Sequence, residues 1–160
     1  MQGRLDAIDL GILARLQRDS SASVREIAES VGLSQSPCWR RIQRLEQEGY
    51  IRERVALLDR EKLGFTLQVF VQVRFSREGG AMLAEFEEAI RRAPEVVECY
   101  MLMGDVDFLL RVLTRDVHSY ERFLRQTLAQ IPGVRDIIST IALSAVKATT
   151  ALPLELVERP

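Results

Sequence analysis

The sequence predicts an α+β chain: an N-terminal (winged) helix-turn-helix domain followed by a C-terminal ferredoxin-like β-α-β-β-α-β domain. Three observations carry this prediction. Apolar residues up to about position 50 recur at helical spacing and are interrupted by a capped glycine turn. From Leu67 the pattern changes to a period of two with one wholly apolar face. The strand and helix patterns that follow occur in the order of the split β-α-β unit. The expected boundaries are 1–50 for the helix-turn-helix, 51–64 for a hinge strand and linker, and 65–160 for the ferredoxin-like domain.

In the first half, Leu5, Ile8, Ile12, Leu13 and Leu16 share a helical face that Asp19-Ser20-Ser21 ends. Ser23 and Glu26 have the spacing of a capping box for a second helix, whose buried face is Val24, Ile27, Ala28 and Val31. Gly32 accepts the positive φ that stops a helix, and Ser34 is a candidate N-cap for a third. Pro37 falls in the first turn of that helix, where its missing N–H costs little. Cys38, Ile42 and Leu45 form its inward side, while Ser36, Arg40, Gln43, Arg44 and Gln47 form its outward side.

In the second half, Val55–Leu58 has the composition of a short strand before the linker. Leu67, Val69, Val71, Val73 and Phe75 alternate with Gln68, Phe70, Gln72 and Arg74, and Gly79-Gly80 breaks the run. Met82, Leu83, Phe86 and Ile90 space as an amphipathic helix that Pro94 ends. Residues 96–103 read as a strand, Gly104–Asp107 as a turn and Phe108–Leu113 as the returning strand. Val117, Tyr120, Phe123, Leu124 and Leu128 read as a second helix. Pro132-Gly133 leads into a last strand expected over 134–146. Such a sheet carries helices on one side. Its other face, also partly apolar, needs cover, and face-to-face dimerisation supplies it.

Charge narrows the function. The net charge is −1, and residues 1–54 hold 9 basic and 8 acidic groups, so no global basicity marks a nucleic-acid binder. Within Ser34–Leu45, however, Arg40, Arg41 and Arg44 occur with no acid. Such a local patch is enough to neutralise phosphates. Arg fits guanine O6 and N7, Gln fits adenine, and the N-terminal residues of a recognition helix reach base edges. The expected contacts to double-stranded DNA are therefore Ser34, Gln35, Ser36, Trp39, Arg40, Arg41, Gln43 and Arg44, with Arg41 on a phosphate. Packing under the helix and stacking near the DNA backbone are both open to Trp39. A dimer of such units reads a palindromic operator.

Other classes fit poorly. Cys38 and Cys99 are too few and too far apart for a disulfide framework or zinc site and read as reduced thiols. Asp105 and Asp107 have no third ligand near them in sequence, and His118 has no nucleophile to serve. No catalytic residue, metal or cofactor is expected. Without an apolar run of about 20 residues or a secretory start, the expected compartment is the cytoplasm, with no membrane partner.

Several segments resemble the Lrp/AsnC (leucine-responsive, or feast/famine) regulators. Leu5-Asp6-Ala7-Ile8-Asp9 looks like the family's opening, and Val31 through Glu46 is similar to its recognition segment almost throughout. Gly104-Asp105-Val106-Asp107-Phe108 is similar to its sensor turn, and Ile131-Pro132-Gly133-Val134 to the turn before its last strand. The resemblance implies dimers joined through the sensor sheets, which assemble further into tetramers or octamers. It also implies a small effector, an amino acid, bound between sensor domains of neighbouring dimers. The effector-binding candidates it gives are Met101, Met103, Gly104, Asp105 and Asp107 around the turn, Val117 on the following helix, and Thr140, Ile141 and Ala142 on the last strand. The implied function is sequence-specific regulation of amino-acid metabolism or transport genes. The alternative is an amino-acid-binding oligomer with little DNA specificity.

Overall fold

A computed structural model describes residues 5–76 and 82–157 of the chain. The chain divides into two compact units. One runs up to Leu57 and takes back the tail from Lys147, and the other is Leu58–Val146. The sequence reading assigned that tail to the ferredoxin-like domain; its contacts assign it to the first unit. The anchor is the Gln17 side chain. Its Nε2 donates to the Leu152 carbonyl at 3.1 Å, and its Oε1 accepts the Leu152 N–H at 3.0 Å. A side-chain amide thus satisfies both backbone groups of one tail residue, as a neighbouring strand would.

The first unit contains α1 (Ala7–Arg18), α2 (Val24–Ser30) and α3 (Gln35–Gln47). Helix α1 begins in a reciprocal capping box: Asp9 N–H donates to the Asp6 carboxylate at 2.8 Å, and Asp6 N–H donates to that of Asp9 at 3.1 Å. The expected box at α2 forms, with Ser23 N–H donating to Glu26 at 2.7 Å. Gly32 adopts φ +70°, and Leu33 N–H returns to the Ala28 carbonyl at 2.9 Å, which stops α2. Ile12, Leu16, Ile27, Ala28, Cys38, Ile42 and Leu45 bury together as the core of the three helices. A Cβ on Gly11 would meet Val31 Cγ1 at 3.1 Å, so α1 and the end of α2 are in close contact there. The strand expected over Val55–Leu58 does not form: residues 52–59 carry no strand pairing.

The second unit is a four-stranded antiparallel sheet in the order β2-β3-β1-β4, with β1 Leu67–Phe75, β2 Val96–Met101, β3 Phe108–Thr114 and β4 Val134–Ile141. Helix α4 (Leu83–Arg92) joins β1 to β2, and α5 (Val117–Gln126) joins β3 to β4. This is the expected ferredoxin-like order. Segment 77–81, which includes Gly79-Gly80, lies outside the described residues. Val69, Val71 and Val73 face Val112, Leu110 and Phe108 in register, and Phe86, Ile90, Tyr120 and Phe123 cover them from the helices. Phe75 meets Phe86 and Phe108 edge to face with centroids 5.2 and 5.9 Å apart, and Phe86 and Phe108 lie tilted at 4.5 Å. Tyr120 and Ser139 share a short hydroxyl hydrogen bond that links α5 to β4.

Three expected elements are shorter than their apolar patterns. Strand β2 stops at Met101 and β4 at Ile141. Leu128 leaves α5 for a separate 3₁₀ turn, Leu128–Gln130, yet remains fully buried. In β4 the cause is the absence of a partner. The Ala142 N–H bonds to Gln68 near the start of β1, and beyond that point only Leu67 of β1 remains.

Candidate nucleic-acid interface and effector site

Helix α3 buries Cys38, Ile42 and Leu45 against the other two helices. Burial in apolar surroundings pushes the Cys38 thiol above its ordinary range. The opposite side divides into two halves. In the first, Ser34, Gln35, Ser36, Trp39 and Arg40 are all exposed. Ser34 occupies the N-cap with extended backbone, but its side chain makes no capping bond. Gln35, Ser36, Trp39 and Arg40 line a shallow hollow completed by Val24 of α2. Trp39 is 52% exposed, so it is not enclosed beneath the helix. Among the described residues Arg40 makes no ion pair.

In the second half Arg41, Gln43 and Arg44 have partners within the chain. Arg41 Nη1 donates to Asp6 at 2.6 Å and to Asp9 at 2.8 Å, and Arg44 Nη2 donates to Asp9 at 2.5 Å. Asp9 is 1% exposed. The two carboxylates hold the Arg41 guanidinium above its ordinary range. Asp6 is held below the usual carboxylate range by the Asp9 N–H first and by Arg41 beside it. Gln43 donates to Glu46 at 3.1 Å, and Glu46 also receives Arg54 at 2.8 Å. The sequence reading counted Arg41, Gln43 and Arg44 as DNA contacts and did not foresee these partners. The acids that hold the two arginines lie 32–35 residues away, on another helix.

In the second unit the effector candidates fall into two groups. Strand β1 provides the scale. Phe108, which follows the Gly104–Asp107 turn, pairs with Val73, whereas Ile141 pairs with Val69 and Thr140 with Phe70. Val117 follows Thr114, which pairs with Leu67. Met101, Met103, Gly104, Asp105 and Asp107 therefore sit at one end of the sheet. Val117, Thr140, Ile141 and Ala142 sit at the other, about 10 Å or more along the strands. One chain does not bring these groups together. At the turn, Gly104 has φ +146°, a conformation that favours glycine, and Met101, Met103 and Asp105 are exposed. Asp107 is differently placed: its N–H donates to the Val73 carbonyl at 3.1 Å, and its carboxylate accepts the Phe75 N–H at 2.7 Å. Val117 is 57% exposed and does not join the buried face of α5.

The sheet face away from the helices carries Phe70, Tyr100 and Ile138, all exposed, with Leu109 and Leu113 half-buried. Among them lies the Arg111–Glu98 ion pair at 2.6 Å. No helix of the described residues is long and apolar enough to cross a membrane.

Comparison with known proteins matches both units. Residues 5–52 match a winged helix-turn-helix DNA-binding family, and residues 68–152 match the Lrp/AsnC ligand binding domain. The Bkd operon transcriptional regulator of Pseudomonas aeruginosa is 46% identical over 150 residues, covering 94% of this chain and 98% of that one. The crystal structure of an AsnC family transcriptional regulator from Agrobacterium tumefaciens superposes with a TM-score of 0.90 at 44% identity, over 96% of this chain and all of that one. A transcriptional regulator from Neisseria meningitidis in complex with L-Met superposes with a TM-score of 0.90 at 37% identity, over 94% of this chain and 97% of that one. With matches that span both units in order, the chain belongs to the Lrp/AsnC family of helix-turn-helix transcriptional regulators.

Proposed function

We propose that the chain is a cytoplasmic, sequence-specific regulator of amino-acid metabolism or transport genes whose DNA binding responds to an amino acid held between copies of its sensor unit. The observation that carries the effector part is the separation of the candidate residues. Met101–Asp107 and Thr140–Ala142 mark opposite ends of one sheet. A pocket that uses both groups takes them from different chains. The L-Met complex of the Neisseria relative supports the chemical class. Asp105, exposed and without an ion pair among the described residues, is an anion for an ammonium group, and the backbone of the Gly104 turn offers N–H groups to a carboxylate.

The apolar outer face of the sheet, with Phe70, Tyr100 and Ile138, is the surface on which two copies dimerise, and dimers associate further into tetramers or octamers. Each dimer presents two copies of α3 to a palindromic operator, with Ser34, Gln35, Ser36, Trp39 and Arg40 at the base edges and adjoining phosphates. An effector bound across copies acts only by binding two assemblies unequally.

The experiment is thermal unfolding and sedimentation of the full chain against a panel of amino acids that includes L-Met. An effector at about 100 times its dissociation constant stabilises by about 2.7 kcal/mol. The reading expects one or more amino acids to raise Tm and to change the oligomer distribution. A panel without a stabilising member removes the amino-acid effector from it.

A further inference from the structure

The polar side of α3 carries three arginines, Arg40, Arg41 and Arg44, and of these only Arg40 has no ion pair among the described residues. From Arg41 onward, Arg41, Gln43 and Arg44 all point to acceptors within the first unit. The central acceptor is Asp9, a carboxylate 1% exposed on α1. One of its oxygens takes Arg41 at 2.8 Å, and the other takes Arg44 at 2.5 Å and the Asp6 N–H at 3.1 Å. Asp6 receives Arg41 as well. The four side chains carry two positive and two negative charges, so the cluster is neutral. Arg44 Nε is buried without an acceptor among the described residues, so the Asp9 bond alone fixes that guanidinium.

We propose that Asp9 is the positioning residue of the recognition helix: with Asp6 it reserves Arg41 and Arg44 for the protein and leaves Arg40 as the arginine that α3 offers to DNA. This rests on the reading of α3 as the recognition helix. Two consequences follow. The angle of α3 on α1 is fixed by ion pairs one and two turns down the helix from Cys38, so the exposed first half meets the groove at a set orientation. The two reserved arginines also add nothing to the sequence-independent attraction for phosphate. That attraction scales with the number of free cations, so masking them leaves discrimination to the side chains that meet bases.

The test measures binding of the full chain to its own upstream DNA and to a duplex of random sequence, each from about 50 to 200 mM salt. Each cation that neutralises a phosphate contributes about −0.9 to the log–log slope of affinity against salt, or about 3-fold over this range. Asp9→Ala releases Arg44, which Asp9 alone holds. The random duplex should then show a slope steeper by about 0.9, and the preference for upstream DNA should shrink. A residue that served only to keep the unit folded would lower both affinities together and leave the slope unchanged, and that result overturns the proposal. The charge-neutral pair Asp6→Asn with Arg41→Gln keeps the test valid if Asp9→Ala does not fold. Its slope should equal that of the wild type, and a slope shallower by about 0.9 would place Arg41 on a phosphate and overturn the masking. Failure of the recognition-helix reading is distinguishable, because Arg40→Ala would then leave binding to both duplexes unchanged.

Discussion

The Asp107 carboxylate accepts the backbone N–H of Phe75 at 2.7 Å and so joins the start of β3 to the end of β1. Beside it, Asp105 is exposed and makes no hydrogen bond among the described residues. Two acids of one turn thus have different occupations. Asp107→Ala should destabilise the second unit by about 1–3 kcal/mol, the cost of an unsatisfied charge-assisted bond. Asp105→Ala should leave Tm unchanged without effector and reduce the shift that an amino acid produces. Thermal unfolding with and without effector separates the two, and equal loss of basal Tm in both variants would count against this division.

The tail clasp is tested by Gln17. Replacing it with Ala removes both bonds to Leu152 and leaves the apolar core of the three helices intact. Hydrogen exchange at Leu152 should accelerate, and proteolysis near Lys147 should begin earlier, while α1–α3 keep their protection. Unchanged exchange at Leu152 would mean that the clasp does not hold the tail.

The thiols should differ in reactivity. Cys38 is fully buried and Cys99 is exposed on β2. Burial raises the Cys38 thiol above its ordinary range, and partial desolvation together with the nearby Glu87 carboxylate raises that of Cys99, so neither is a ready nucleophile at neutral pH. A disulfide reagent should modify Cys99 slowly, faster as pH rises, and Cys38 only upon unfolding. Cys38→Ser should cost about 1–3 kcal/mol, because its hydroxyl would lie among Ile12, Ile42 and Leu45. Rapid native labelling of Cys38 would contradict its placement.

Acid should act through the helix caps. Asp116 is held below its ordinary range first by the Ser119 N–H, as is Glu26 by that of Ser23. A depressed folded-state pKa means that the stabilisation is complete above the unfolded carboxylate range, about pH 4, and is lost as pH falls through the folded values. Tm should therefore be flat from neutral pH to about 5 and decline below 4. Asp116→Asn, which still caps but does not titrate, should shallow that decline. An unaltered acid slope in this variant would remove the cap from the explanation.

Features set by neighbours in sequence were legible in advance. The Ser23–Glu26 box, the stop at Gly32 and the alternation of β1 depend on residues a few positions apart, and the structure has all three. Strand ends were less legible because a strand needs a partner. The apolar composition of Val55–Leu58 and of residues 142–146 continues where no neighbouring strand is present among the described residues. The site divides in the same way. The burial of Cys38, Ile42 and Leu45 follows from helical periodicity, and the exposure of Ser36 and Arg40 follows from the same angles, while that of Trp39 at the edge of the core face does not. The capture of Arg41 and Arg44 by Asp9 does not, since it is a tertiary pairing of α1 with α3. The signal present was Asp6 and Asp9 at the capping-box spacing, which read only as part of a family-like opening.

The central claim is that α3 reads DNA through its first half with Arg40 as its free cation. The most direct measurement is fluorescence anisotropy of the chain's labelled upstream DNA, titrated with wild type and with Arg40→Ala at fixed salt. The account predicts a loss of about 1–3 kcal/mol in specific binding for the variant, roughly 5- to 150-fold, with Tm unchanged. Equal affinity of the two proteins for that DNA would contradict it.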